Sequence, residues 1–547
     1  MASVDDLCRS YLDLKYHFDP AAASSAGLVS HDARLGRFDI ETTGVHVAAL
    51  RSVAGAIEEL EPDDLQSEVD RTALLGEIRS SIFRLEHERP HVRNPAFWLS
   101  HAFQGLYAIV SRQNGLPRAE RGGAAGGRAP AALERLKAIP AFLDAARDTL
   151  DEPPSVFVET ALGMLGGGGE LVVQVAGALG SEAPELLPQL ESAAGAALEA
   201  LKRFGAALRD EIEPAADPHA FAIGEDQFGR RLHHEHALEA GAPELWRYGL
   251  HLQQETEAAL AELAGRMGGR AWRDIVEELR GDTPEPEALL AVYRAELDRA
   301  HAFVAQRDLV SVPREPVDVV ATPSFMLALV PFAAYEPPPI FLSHQTGRFY
   351  VTPPDTSLPP DALARQRRGH CRHAIPAMVA HEAYPGHHLQ LVTAQGLGSE
   401  VRRHVWTPVM VEGWALYCEQ LMDESGYYAD DEARLFQLVN LLWRAIRIVL
   451  DVGLHTRGMS PAEAVTYMVE HLPIERASAE AEVRRYCAWP TYQLCYAVGR
   501  RELLRLRQAY RERAGASFQP KRFHDELLAY GGLPVALARW GMELGEE

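Results

Sequence analysis

The segment His381-Glu382-Ala383-Tyr384-Pro385-Gly386-His387-His388 constrains this chain most, because it joins metal-binding side chains to a backbone that cannot stay helical. In the usual helical zinc site, HExxH, the two histidines are four residues apart and about 40° apart around the helix. Here Pro385 stands at that fourth position. On an unbroken helix His387 would lie about 240° around from His381, and His388 would be nearly in line with it but about 10.5 Å further along the axis. Neither arrangement lets two imidazoles share an ion whose Zn–N bonds are about 2 Å. The break is written into the residues themselves. Pro385 has no N–H to give the carbonyl of His381 and its ring clashes with that carbonyl, while Gly386 accepts unusual backbone angles. A kink or bulge there swings a later histidine back towards the first.

With Glu382 beside His381, and Glu412 opening Glu412-Gly413-Trp414-Ala415-Leu416-Tyr417, the donors suit Zn²⁺ held by two histidines and a glutamate, with one position open. A carboxylate next to the first histidine is placed to deprotonate water in that position, so the expected chemistry is amide hydrolysis. Taken singly, such a histidine is more often a surface residue and such a glutamate an ordinary helix charge. It is their conjunction with the Pro-Gly break that carries the metal reading. Structural zinc sites usually close all four positions, often with Cys, which favours a catalytic ion here.

HEAYPGHHLQ and EGWALYCEQL resemble the signatures of the DUF885 family, bacterial proteins of uncharacterised function whose pattern is HExxPGHxxQ. The resemblance extends to Asp451-Val452-Gly453-Leu454-His455, to Pro490-Thr491-Tyr492-Gln493-Leu494-Cys495-Tyr496-Ala497-Val498-Gly499, and weakly to 18–39, so it covers most of the chain. It implies a fold similar to the helical zinc carboxypeptidases and their gluzincin relatives: a mainly α, zincin-like body with a deep cleft. It also favours His387 over His388 as the second ligand. On this basis His381, His387 and Glu412 are the expected metal ligands and Glu382 the general base that later returns a proton to the leaving amine. Glu412 follows His387 by 25 residues, so a second helix must cross back over the first. Gln390, Trp414, Tyr417 and Glu419 are placed to support the ligands. Tyr496 is the first choice for the oxyanion donor, by analogy with the tyrosine that related helical metallopeptidases set opposite the zinc, although a tyrosine on an apolar helix is more often a core residue with its hydroxyl tied to a backbone group. His455, Tyr492 and Arg485 are the other candidates. Among Arg444, Arg447, Arg484, Arg485, Arg500 and Arg501, one could bind a substrate carboxylate, and nothing in the sequence selects which.

The chain has 547 residues, of which 47% are hydrophobic, enough for a substantial core. Lys and Arg total 54 against 77 Asp and Glu, and the net charge of −23 disfavours nucleic acid and anionic membrane surfaces as partners. No window reads as a membrane span. The amino-terminal MASVDDLCRSYLDLKYHFDP has no basic segment followed by an apolar core, so a secretory signal is not expected and the cytoplasm is. Cys8, Cys371, Cys418, Cys487 and Cys495 are scattered without CxxC pairs, as suits reduced core thiols.

Residues 1–310 carry apolar residues at three- and four-residue spacing and read as a helical scaffold lobe, with 311–547 as the metal-site lobe of one integrated body. The glycine-rich stretches 121–130 and 166–169 read as loops. In the segment 219–236, His233, His234 and His236 cannot all face one direction on a helix, so it reads as solvated or cleft-lining. Residues 317–321 and 340–352, around Gln345-Thr346-Gly347, read as a short hairpin or small sheet. It would precede a metal helix over 362–384, and could offer an edge strand to an extended peptide. The function expected is zinc-dependent hydrolysis of short peptides. The alternatives are a zinc hydrolase of non-peptide amides or esters, and a non-catalytic metal-binding or interaction protein.

Overall fold

A computed structural model describes residues 3–112, 118–323, 326–327, 330, 332–343 and 345–545, with the backbone alone for 118–126. The protein is mainly helical with one small sheet. Its contacts divide it into two compact units. One comprises Met1–Glu61, Glu77–Phe221 and Pro338–Gln345, and the other Pro62–Gly76, Ala222–Pro337 and Thr346–Glu547. This division departs from the expected 1–310 and 311–547, since 222–310 group with the helices that carry His381, His387 and Glu412.

In the first unit, helices Pro95–Ser111, Arg118–Thr149, Ser155–Glu182 and Leu187–Asp210 pack on one another. Both stretches expected as loops, 121–130 and 166–169, lie inside helices. Packing explains Gly168: a Cβ there would come within 1.9 Å of the Phe103 ring, so the glycine lets two helices approach closely. Ser155–Glu182 is also long and apolar enough to cross a membrane by length and composition, contrary to the expectation that no window qualifies, and 33% of that window is buried in the fold. The fully buried Arg135 gathers carbonyls from Pro20, His31, Arg34 and Gly105 and the Ser24 hydroxyl, which satisfies its fork of donors away from water.

The second unit holds the sheet and the site. Strands β1 (Val317–Ala321), β2 (Ala333–Glu336) and β3 (Gly347–Val351) are ordered β1-β3-β2, with β1 parallel and β2 antiparallel to β3. A small sheet is therefore present, but 340–352 is not a hairpin. The antiparallel partner of β3 lies upstream, and Pro337, Pro338 and Pro339 end it because they have no N–H for a ladder. The helix expected over 362–384 is two helices, Pro360–Arg368 and Ile375–Glu382. A Cβ at the intervening Gly369 would meet the Phe332 ring at 2.1 Å, and Pro376 suits the first turn of a new helix. The expected histidine-rich segment supplies helix Gly224–His236, whose buried His236 hydrogen-bonds Thr407 at 2.6 Å and Thr491 at 3.3 Å. It forms no metal-ligand cluster among the described residues.

Candidate metal centre

Helix Ile375–Glu382 stops at Glu382, the Tyr384–Pro385 peptide is cis, and helix His387–Gln395 begins immediately after Gly386. A Cβ on Gly386 would lie 1.8 Å from the His381 carbonyl oxygen and 2.5 Å from that of Ala380. The chain thus folds back onto the end of the helix it has just left, and only glycine fits. The Trp414 indole N–H pins the bend by donating to the Pro385 carbonyl at 2.9 Å. The His381 and His387 rings consequently meet edge to face, 4.9 Å between centres.

Glu412 comes from helix Pro408–Glu424, which packs against both Ile375–Glu382 and Cys495–Ala514. At the second crossing the backbones touch. A Cβ on Gly499 would lie 2.0 Å from the Val409 carbonyl oxygen, and one on Gly413 would lie 2.6 Å from the Gly499 backbone. Tyr496, one turn before Gly499, is thereby carried to the helix that bears Glu412.

Glu412 Oε2 lies 3.3 Å from His387 Nε2 and 3.8 Å from His381 Nε2, and one donor atom of each residue falls within 4.8 Å of the others. A tetrahedral ion with bonds of about 2.0–2.2 Å holds its ligand atoms roughly 3.4 Å apart, so the set fits a zinc-sized cation. The surroundings are arranged to match. Glu419, fully buried, meets His381 Nδ1 at 2.9 Å, which turns Nε2 towards the other donors, and the Tyr492 hydroxyl donates to Glu412 Oε1 at 2.7 Å. Nδ1 of His387 and the amide of Gln390 are buried with no side-chain hydrogen-bond partner among the described residues. Burial opposes charge on both His381 and Glu412, yet Glu412 and Glu419 push His381 up to about 9, while His381 and His387 hold Glu412 well below the usual carboxylate range.

Glu382 remains partly exposed, and its Oε2 accepts the Tyr335 backbone N–H from β2 at 3.0 Å. His388 is turned away: Nδ1 meets the Tyr335 hydroxyl at 2.9 Å, Nε2 meets the Glu315 carbonyl at 3.0 Å, and burial pushes its pKa down to about 4. Tyr496 stacks near-parallel to His381, 6.3 Å between ring centres, and its hydroxyl has no hydrogen-bond partner among the described residues. Burial raises its pKa.

Other expected residues lie elsewhere. His455 is 1% exposed, with Nε2 3.0 Å from the Tyr486 carbonyl and 3.9 Å from Asp451, outside the cluster. It is a core histidine, pushed down to about 4 by burial, because its face of helix Asp431–Thr456 meets the helix Arg476–Ala488 that carries Tyr486. Arg485 is paired with Glu482 at 2.7 Å, and the Tyr417 hydroxyl reaches His524 at 2.7 Å. All five cysteines are free and buried. Two contributors escaped sequence reasoning. Tyr335 acts through a backbone N–H that no side-chain pattern reports. Asp451, raised to about 7 by burial, accepts the Thr491 and Leu494 N–H groups and so ties down the turn that delivers Tyr492 and Tyr496.

No curated protein matches the chain. Two solved structures share its fold over nearly its full length. One, described as a "putative lipoprotein of unknown function" from Shewanella oneidensis, is 21% identical with a TM-score of 0.79, covering 99% of this chain and 100% of that one. The other, a "putative lipoprotein" from Colwellia psychrerythraea, is 20% identical with a TM-score of 0.81, covering 99% of each chain. Residues 20–542 match the family model described as bacterial protein of unknown function, DUF885, and the chain belongs to that family.

Proposed function

We propose that this protein is a zinc-dependent hydrolase of peptide bonds in short peptides, with a gluzincin-like site and Glu382 as general base. The observation that carries this reading is the convergence of His381, His387 and Glu412, with donor atoms within 4.8 Å of one another, beside a glutamate that is held yet accessible. Zinc bound by that set supplies a Lewis acid for the scissile carbonyl and lowers the pKa of water in the remaining position. The protein's own groups have separate tasks. Glu419 keeps the His381 proton on Nδ1, and Tyr492 anchors Glu412. Glu382, oriented by the Tyr335 N–H, takes the proton of the attacking water and returns it to the leaving amine. Tyr496, whose hydroxyl is unengaged among the described residues, donates to the oxygen that turns negative as the carbonyl becomes tetrahedral. Strand β2 lies at a sheet edge beside Glu382, where an extended peptide can pair through its backbone.

The test is elemental analysis of the purified protein and of its His381→Ala variant, paired with turnover of a peptide library before and after chelation. Near-stoichiometric zinc that vanishes in the variant, together with chelator-sensitive cleavage that Glu382→Gln abolishes while keeping its zinc, is the expected result. Zinc with turnover only of small acylated compounds would favour the non-peptide amide or ester reading. Zinc with no turnover would favour a binding role. For the compartment, five free thiols suit the reducing cytoplasm, whereas the description of the two solved neighbours points outside it, and fractionation of cells making the protein separates the two.

A further inference from the structure

The arginines around the site are not equivalent. Arg447 is 7% exposed and paired with a carboxylate, with Nε 2.9 Å from the Tyr486 hydroxyl and Nη2 3.1 Å from Glu482. Arg485 meets the same Glu482 at 2.7 Å. Arg500 donates to Gln420, and Arg501 to Glu502 and Glu244. Arg444 differs from all of these. Its Nη1 reaches only the Asn440 carbonyl of its own helix, at 3.4 Å, its Nε is buried with no hydrogen-bond partner, and no carboxylate pairs with it among the described residues. A guanidinium presents five donors in a fork suited to a carboxylate, and leaving one of those donors, the Nε–H, buried and unmet is costly unless an acceptor completes it.

Its position adds the second observation. The Arg444 guanidinium lies 5.7 Å from the centre of the Tyr496 ring, and the same ring stacks 6.3 Å from that of His381. Arg447 sits 4.7 Å from that ring as well. Arg447 and Arg485 share the single carboxylate of Glu482, so the carboxylate of this arginine cluster is already taken, and Arg444 is the member left with only a backbone carbonyl.

We infer that Arg444 receives the terminal carboxylate of the substrate, which makes the protein selective for peptides whose free carboxyl end lies one or two residues beyond the scissile bond. One aromatic ring links Arg444 to the triad, and a peptide advances about 3.3–3.6 Å per residue, so a chain end of that length spans the interval. The inference rests on the hydrolase reading above and names its substrate class.

The test uses zinc-loaded Glu382→Gln protein, in which bound peptide is not turned over, and measures calorimetric binding of N-acetyl-trialanine and of its carboxamide twin. The acid is expected to bind about 100-fold tighter than the amide. That preference should fall to within about threefold when Arg444→Gln is added, and return in part with Arg444→Lys, whose ammonium restores charge but not the bidentate fork. Should Arg444→Gln fail to fold, the Lys variant alone must show at least a tenfold loss, on the order expected for replacing a fork by a point charge. Equal binding of acid and amide, a preference that survives Arg444→Gln, or binding of neither peptide would each overturn the assignment. An intact, Arg444-dependent preference with no turnover of either peptide by the zinc-loaded wild type would instead defeat the hydrolase reading and leave the carboxylate site standing.

Discussion

Tyr492 and Tyr496 sit four residues apart and meet the triad differently, and the difference is measurable. Tyr492 holds Glu412 through a 2.7 Å hydrogen bond, so Tyr492→Phe should weaken zinc affinity by about 10–100-fold, the usual effect of removing support from a ligand, with kcat little changed once zinc is saturating. Tyr496 has no such partner among the described residues, so Tyr496→Phe should keep its zinc and lose about 10² in kcat, as for a missing oxyanion donor. Competition with a chromophoric chelator and steady-state kinetics separate the two, and exchanged phenotypes would exchange the roles. At this scale the grouping of His381, His387 and Glu412 was legible in the sequence, because a Pro-Gly break between two histidines leaves few ways for them to meet. What was not legible is which face of a helix meets the site. Asp451 and His455, at i and i+4, share a face as their spacing demands, but that face meets the turn at 491–494 and Tyr486 instead of the triad. The Tyr335 amide, 47 residues from Glu382, leaves no trace in a sequence because almost every residue has one.

Among the elements, glycine misled sequence reading where packing overrode propensity. The runs at 121–130 and 166–169 look like loops because each glycine costs a helix about 1 kcal/mol relative to alanine. Helix Ser155–Glu182 absorbs that cost because the glycines in it are not equivalent. Gly168 lies against the Phe103 ring at a distance no Cβ tolerates, whereas Gly166 has nothing within 4 Å of its would-be Cβ. Gly166→Ala should therefore stabilise the protein by about 0.5–1 kcal/mol, and Gly168→Ala should destabilise it by about 1–3 kcal/mol through overpacking. Urea unfolding of both variants checks this, and equal effects of one sign would mean that the packing at Phe103 is not what selects glycine. The same logic governs the crossing of Gly413 and Gly499, which places Glu412 and Tyr496 on facing helices. Both glycines stand in stretches that carry the family resemblance, yet only their contact explains why a side chain is excluded. The small sheet was anticipated, but its strand order was not, because both partners of β3 lie upstream of Gln345-Thr346-Gly347, in segments that no local turn signal links to it.

For the whole molecule, the division into units follows contacts far apart in the chain, which is why a boundary near 310 was misplaced. The short segment 62–76 belongs to the second unit through Asp70, which pairs with Arg402 and accepts from Ser399, both at 2.7 Å, and through Gln66, which donates to the Gly541 carbonyl. No local pattern marks such a segment, since its partners lie more than 300 residues away. The triad has the same long-range character within that unit, joining helices Ile375–Glu382, His387–Gln395 and Pro408–Glu424. An ion held by all three would bind the folded unit and not the unfolded chain, so its free energy would add directly to stability. With zinc at about a thousand times its Kd that contribution is about 4 kcal/mol, and chelation should lower the melting temperature by about 5 °C or more. The His381→Ala protein, which has lost one of the three links, should melt at a temperature indifferent to both zinc and chelator. Scanning calorimetry of the four samples provides the comparison. A chelator effect that persists in His381→Ala would place the stabilising ion elsewhere in the molecule, whereas its absence in both proteins would mean that the three helices are held by the ion pairs of Glu412 and Glu419 alone.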